Sequence, residues 1–297
     1  MTNQPLVLSD EFAATDEHGT LYSASLQIVL FAAQPLPELA KGALACYRLF
    51  MQRFGKDVER YHATNMKQAR AFSAKYADVF PTLCQEKGIS LPRYKIFRGK
   101  EKPDHYLPPV FQTAAYHEFS ALQLHLPPAI AEDQKGLLDL VSKLAAAFPF
   151  RCGYAGYSLC WDDQSANRSV LVPPKIAPLH KRYPGFAWGI PRVLADHPLP
   201  PVNWLTLLGP EVVEKLGGVS KVSKDLKDKE ISVSPMGAGV GIRAGEAPQI
   251  GDRNRGDDLP LYRKIGTYLK NYRGKEYLEL KGLDADESEA WLARFDA

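Results

Sequence analysis

Between Leu21 and Phe31 the chain alternates: Tyr22, Ala24, Leu26, Ile28 and Leu30 fall on one side, and Ser23, Ser25 and Gln27 on the other. A period of two predicts a half-buried strand with one apolar face. Pro35-Leu36-Pro37 ends it. Leu39, Ala43, Cys46, Tyr47, Phe50 and Phe54 then recur at three- and four-residue spacing, the stripe of an amphipathic helix, and Cys46 on that stripe reads as a core residue. The pattern returns later. Leu122, Leu124 and Leu126 alternate with Gln123 and His125, which puts His125 on the surface. After Pro127-Pro128, a helical stripe runs through Leu137, Leu140, Val141, Leu144 and Phe148. Leu26-Gln27 echoes Leu122-Gln123, and Lys41-Gly42-Ala43-Leu44 echoes Lys135-Gly136-Leu137-Leu138. This is either a duplicated strand–helix unit or a coincidence.

The same reading continues along the chain. Glu59 to Gly88 predicts one or two helices packing through Tyr76, Val79, Phe80 and Leu83. Gly88 to Pro109 is basic and proline-rich, and reads as a long loop or exposed hairpin. Arg151 to Trp161 is a strand with Cys152, Tyr154, Ser158 and Cys160 on one face, and Pro173 to Pro184 is a connector. Val202-Asn203-Trp204-Leu205-Thr206-Leu207-Leu208-Gly209 is the most apolar run of the second half. Trp204, Leu205, Leu207 and Leu208 cannot share one narrow face, so they are predicted as structural core, with Gly209 as the turn. Pro210 starts a short helix, and Gly217-Gly218 ends it. Ser220 to Lys229 reads as a solvated loop or edge. Ile231–Ser234 and Val240–Arg243 are short strands, Leu261–Tyr272 a helix, Glu276–Leu280 a strand and Asp286–Phe295 a terminal helix. The fold class is therefore α+β: mixed or antiparallel sheets flanked by helices, with two related strand–helix units. One domain spanning 1–297 is expected, with sub-halves 1–165 and 166–297.

Composition narrows the function. The net charge is +3 and the pI about 8.5, too mild for nucleic-acid binding by bulk charge and opposed to a uniformly acidic DNA mimic. The first residues carry neither a basic segment nor an apolar one, and no run approaches the roughly 18 apolar residues of a membrane span. The four cysteines, Cys46, Cys84, Cys152 and Cys160, include no CxxC pair. The expectation is a cytoplasmic chain with free thiols and no zinc site.

Candidate chemistry is sparse. Gly237-Ala238-Gly239-Val240-Gly241 lacks the long preceding strand and following helix of a dinucleotide site, so its glycines read as tight strand pairing. The sequence has no GxxxxGK[ST], GxSxG or HExxH, which removes the common phosphate, hydrolase and metalloprotease signatures. Its histidines are scattered without partners at triad-like spacing, so no catalytic residue, metal ligand or cofactor is assigned. The polar stretch Gly245 to Asp258 has the glycines and proline of a defined turn. In it, Asp252, Asp257 and Asp258 interleave with Arg253 and Arg255, favouring internal salt bridges over a metal site.

Arg182-Tyr183-Pro184-Gly185, Val202 to Gly209, Leu216-Gly217-Gly218, Ile242-Arg243-Ala244-Gly245, Pro248, Gly251-Asp252-Arg253-Asn254 and Tyr262-Arg263 occur in that order. This series resembles the type VI secretion immunity family associated with VRR-NUC nuclease effectors (TsiV-like), over roughly Leu21 to Tyr272. The resemblance implies a cytoplasmic antitoxin that is not an enzyme. It would neutralise a cognate PD-(D/E)xK nuclease toxin by occluding its DNA-binding or active site, with no direct nucleic acid, membrane or small-molecule partner. Glu246, Asp252, Arg253, Asp257 and Asp258 are the expected partner-binding residues, and the Gly88–Pro109 loop is a second candidate. Two rival readings predict different observations. An enzyme with an unrecognised site, using His and Asp between the halves, requires a pocket of perturbed ionisable groups. A nucleic-acid-binding module using Lys221, Lys224, Lys227 and Lys229 requires salt-dependent DNA binding.

Overall fold

A computed structural model describes residues 10–63, 66–85, 94–99, 105–115, 119–163, 165–188, 199, 201–273, 280 and 282–296. Its centre is strand β2 (Gly19–Ala32), on which β1 (Ala13–Asp16) folds back. Helix α1 (Ala40–Phe54) follows, then β3 (Arg60–Ala63), β4 (Arg70–Ala71), α2 (Val79–Gln85), β5 (Tyr94–Arg98), β6 (Leu107–Ala115) and β7 (Ser120–Leu126). Next come α3 (Gln134–Ala147), β8 (Cys152–Cys160), α4 (Ala166–Leu171), α5 (Pro173–Arg182) and β9 (Leu205–Leu208). The chain closes through α6 (Pro210–Lys215), α7 (Val219–Asp225), β10 (Ile231–Met236), β11 (Gly239–Ala244), α8 (Pro260–Leu269) and α9 (Ala285–Leu292). The strands form one 11-stranded sheet in the order β10-β11-β9-β8-β2-β7-β6-β5-β3-β4, with β1 on β2. Every pairing is antiparallel. Strands from both sub-halves share this sheet, and the α+β class expected from the pattern is the one observed.

The two echoed units lie side by side. β2 and β7 pair with Ile28 opposite Leu124, and α1 packs on α3. Their contacts are reciprocal. Gly42 of α1 approaches the end of α3, where a Cβ would stand 2.4 Å from the Ala147 carbonyl oxygen. Arg53 at the end of α1 donates to the Gly136 carbonyl at 3.3 Å. Leu26, Ile28, Leu30, Leu122, Leu124, Leu205 and Leu207 form the apolar face under these helices and belong to one core.

The other face of β2 departs from expectation. Ser25, Gln27 and His125 are buried, not wetted. Ser25 Oγ accepts from His125 Nδ1 at 2.8 Å and donates to the Ser158 carbonyl at 3.2 Å. Gln123 Nε2 lies 2.7 Å from His125 Nε2, and the Tyr154 phenol donates to Gln27 Oε1 at 3.1 Å. One tautomer, with the proton on Nδ1, satisfies the whole chain of donors. The sheet also curls across this face. Cys160 of β8 packs with Phe97 of β5, although four strand steps, about 19 Å in a flat sheet, separate those strands. Lys95 reaches Asp162 at 2.6 Å across the same concavity. A second side of the sheet is thus closed on itself, and alternation of polar residues marked a buried network, not a solvent face.

Other local readings are corrected for related reasons. Besides one short α-helix, the described residues of Glu59–Gly88 hold the strands β3 and β4, because Tyr61 enters the core from a paired strand. The basic Gly88–Pro109 stretch holds β5 and the start of β6. Tyr94 and Ile96 face the core while Lys95 is buried against Asp162, so the charges masked a strand; residues 86–93 and 100–104 lie outside the described residues. The Pro173–Pro184 connector is helix α5, with Pro173 at its start and Ile176 and His180 buried. Ser220–Lys229 contains α7, whose Val222 and the following Leu226 are buried four residues apart while the lysines point outward. The predicted Glu276–Leu280 strand falls outside the described residues except for Leu280.

Trp204, Leu205, Leu207 and Leu208 are fully buried. A Cβ on Gly209 would stand 2.3 Å from the Phe150 carbonyl oxygen, so only glycine fits that turn. Arg294, after α9, locks this region. Its guanidinium donates to the carbonyls of Pro184 at 2.8 Å, Trp291 at 3.0 Å and Val202 at 3.2 Å, and lies 3.6 Å from the Trp291 ring centroid. Burial draws its pKa down to about 9, which leaves it a cation at neutral pH.

Two outcomes follow. Arg294→Met strands the buried carbonyls of Pro184 and Val202, while that of Trp291 keeps the residue-294 amide at 3.3 Å, and is expected to destabilise the protein by about 2–5 kcal/mol, measured by urea denaturation. Burial lowers the His125 pKa to about 3 and the His180 pKa to about 4. A histidine that is neutral when folded but titrates near 6.5 when unfolded is a full stabiliser above pH 6.5. Its contribution falls by about 1.4 kcal/mol per pH unit below that. Stability is therefore expected to drop between about pH 6.5 and 4, and His125→Gln, in the same denaturation series, to flatten that slope.

Candidate partner-binding surface

The stretch from Gly245 to Asp258 connects β11 to α8, and both of its ends are tied to the core. Gly245 leaves β11 with φ +79° and Gly251 turns with φ +67°, conformations that favour glycine. Between them the Gly185 amide donates to the Ile250 carbonyl at 2.8 Å. A Cβ at Gly185 would stand 2.2 Å from the Gln249 oxygen. The buried Tyr262 phenol accepts from the Gln249 amide at 3.1 Å. At the far end Leu259 is held at φ 52°, a strained value for a branched side chain. It persists with Leu259 buried against Gly251.

Asp252 is the pivot. Arg182 grips its carboxylate with both ends of the fork, Nε to Oδ1 at 3.1 Å and Nη2 to Oδ2 at 3.0 Å. Asp252 Oδ1 also accepts the Asn254 amide at 3.0 Å. The Arg182 hydrogen bond holds this carboxyl below the usual range, and the same contact raises the Arg182 pKa. Arg182 also meets Glu11 at 3.1 Å, whose other oxygen accepts the Tyr183 phenol at 3.0 Å. Burial, followed by that hydrogen bond, pushes the Tyr183 pKa up to about 12. A bidentate pair of this kind is stronger and more directional than a simple surface ion pair.

The expected site residues are therefore divided. Asp252, with 14% of its side chain exposed, faces inward as part of the scaffold. Glu246, Arg253, Asp257 and Asp258 are exposed. Asp257 pairs back to Asp252 through an isolated bridge, and Asp258 lies 3.7 Å from Arg263. Sequence reasoning missed Arg182, Tyr183, Gly185, Tyr262 and Glu11 as the supports of this loop, and the exposed Asn254 and Arg255 at its tip. The first four stand in the ordered motif series, but their convergence is visible only in three dimensions. Of the Gly88–Pro109 candidate, the described part is mainly buried sheet.

The rival surfaces carry less. The lysines of residues 210–230 are matched one for one, five against five carboxylates. Lys221–Asp225 and Lys215–Glu211 are direct pairs at 2.5 and 2.9 Å, so this face has no basic field for nucleic acid. Pro210, Val213, Gly217, Val219 and Val240 line a shallow open groove of about 470 Å³ without ionisable groups other than Glu214. Among the described residues Ser25 and His125 are the one serine–histidine contact buried on both sides; they are enclosed, and the serine hydroxyl is committed to a carbonyl. Among the described residues no three histidine, cysteine or carboxylate side chains gather as a metal site. No described helix is long and apolar enough to cross a membrane.

Comparison with known proteins decides the family. The family described as type VI immunity for VRR-NUC, TsiV, matches residues 44–295. The chain belongs to the TsiV family. Its structure also matches that of the Pseudomonas aeruginosa T6SS protein PA0821, with a TM-score of 0.82 and 20% identity, covering 97% of this chain and 88% of that one. At that identity the likeness establishes a shared fold. No curated protein sequence matches the chain. Of the residues that carry the TsiV resemblance, Arg182, Gly185 and Tyr262 anchor the Gly245–Asp258 loop.

The loop's rigidity is testable. Arg182→Ala leaves Asp252 without its fork and is expected to speed amide exchange at Asn254 and Asp257 by about tenfold or more, equivalent to losing roughly 1.5–3 kcal/mol of charge-assisted hydrogen bonding. Hydrogen exchange followed by NMR or mass spectrometry measures it, with strands β2 and β8 as the unchanged reference.

Proposed function

We propose that this protein is a cytoplasmic antitoxin that binds a cognate VRR-NUC effector of the type VI system and blocks its nuclease cleft, without chemistry of its own. The observation that carries this reading is the Gly245–Asp258 loop: a rigidly anchored, charged projection on an otherwise closed fold. Protection requires occupancy at low toxin concentration, so the affinity needed is nanomolar or tighter, about −12 kcal/mol. Such binding commonly takes about 800 Å² per partner and a few arginine or aromatic anchors. A loop already held in its bound shape loses little entropy on docking, which is what the Arg182–Asp252 fork supplies.

The balanced charge of the chain supports covering of the cleft with local charge matching. A PD-(D/E)xK nuclease cleft has basic walls for DNA phosphates, and Glu246, Asp257 and Asp258 offer them carboxylates. Asp252 serves the interface by positioning the loop.

The test is co-expression rescue. Cells producing the effector are expected to survive with the wild-type protein. The combined Glu246→Lys, Asp257→Lys and Asp258→Lys variant is expected to lose about tenfold or more in association rate, since exposed interfacial charges act mainly on encounter. Surface plasmon resonance with purified effector reads that rate. Wild-type protein that neither binds nor protects overturns the function, and unchanged association by the triple variant removes these carboxylates from the interface.

A further inference from the structure

The order of charges along the anchored loop is acidic at Glu246, basic at Arg253 and Arg255, and acidic again at Asp257 and Asp258. The two arginines sit on the single-turn 3-10 helix Arg253–Arg255, which closes with Gly256 at φ 72°. Both are exposed, and Arg255 keeps 82% of its side chain in solvent. Its carboxylate neighbour, Asp252, is 3.6 Å away and already holds the Arg182 fork. Arg253 forms no ion pair with a described residue. The backbone beneath them is bonded at Arg255 N to Asp252 O, 2.9 Å, and Asp257 N to Asp252 O, 3.1 Å. The molecule thus holds the backbone beneath two exposed guanidinium groups, of which Arg255 makes one long contact to an already occupied carboxylate.

We infer that the Arg253–Arg255 tip enters the acidic, metal-holding floor of the nuclease cleft and occupies it in place of the metal ion. This rests on the reading of the protein as a nuclease antitoxin. The tip and such a cleft are complementary in sign and shape. A nuclease that uses metal ions holds them with carboxylates, and those carboxylates repel one another when the metal is absent. Guanidinium forks match carboxylates with paired hydrogen bonds and remain charged when desolvated. The cleft rim must be basic to bind a phosphate backbone. A positive tip between negative shoulders is the complement of an acidic floor between basic walls. The consequence is competition: metal and antitoxin exclude each other from the same carboxylates.

The experiment measures the affinity of the full chain for its purified VRR-NUC effector by calorimetry, in EDTA and in rising Mn²⁺. Wild-type affinity is expected to weaken about a hundredfold when Mn²⁺ stands at about a hundred times its own dissociation constant for the effector. The double variant Arg253→Glu, Arg255→Glu is expected to bind about tenfold or more weakly in EDTA and to show no dependence on Mn²⁺. Its thermal unfolding, unchanged because both side chains are exposed, excludes misfolding, and Arg253→Ala, Arg255→Ala supplies a milder version with the same direction. Wild-type binding that ignores Mn²⁺, or a charge-reversed variant that keeps wild-type affinity or metal dependence, overturns the inference and leaves the antitoxin reading standing. Wild-type protein that fails to bind the effector in either condition overturns both.

Discussion

Burial of the central sheet on both faces is the constraint from which the rest follows. A strand such as β2, with its Ser25–Gln27 side closed off, cannot leave polar groups to water. Each unpaired one would cost about 1–3 kcal/mol. The Gln123–His125–Ser25–Ser158 relay and the Tyr154–Gln27 bond meet that requirement with neutral partners. The result is a set of neutral hydrogen bonds that ties β2, β7 and β8 together across this face. A group that resembles catalytic furniture on paper is used up in holding strands together.

Arginine hydrogen bonds carry such ties toward the surface. Arg294 joins the carbonyls of Pro184, Trp291 and Val202, and so links the segment after α5, the segment before β9 and the C-terminal helix α9. Two residues before Pro184, Arg182 takes hold of Asp252. The projecting loop is thus two links from the core: core to Pro184, and Arg182 to Asp252. Long charged loops usually lose entropy on binding. This one has much of its ordering built in, because its dihedrals, its ion pair and its tyrosine bond all agree.

Much of the architecture was legible along the chain. Apolar periodicity located β2, β7, α1 and α3, the crowding of Trp204 to Leu208 located a segment buried on more than one side, and paired glycines ended α6. These signals are local: a period of two or 3.6 acts over one element, and φ above zero acts at one residue. The two strand–helix units that echo one another in sequence lie side by side, with Gly42 and Arg53 of α1 both in contact with α3. Charged residues in sheet misled the reading. Lys95 looks solvated in sequence, and only the curl of the sheet brings Asp162 within 2.6 Å of it.

What the amino-acid order determined by itself was the α+β class, the principal helices and strands of the core, and the presence of a defined polar turn before α8. Which carboxylates of that turn face solvent was decided in three dimensions. Asp252 and Asp257 are equivalent as letters, yet one is turned inward by an arginine 70 positions away and the other is exposed. His125 likewise alternates as a surface residue should, and is buried because the sheet folds over it. Local pattern specifies which elements form, since backbone propensity and amphipathicity act between neighbours. The environment of a polar side chain depends on contacts between distant segments, and those exist only once the sheet has closed.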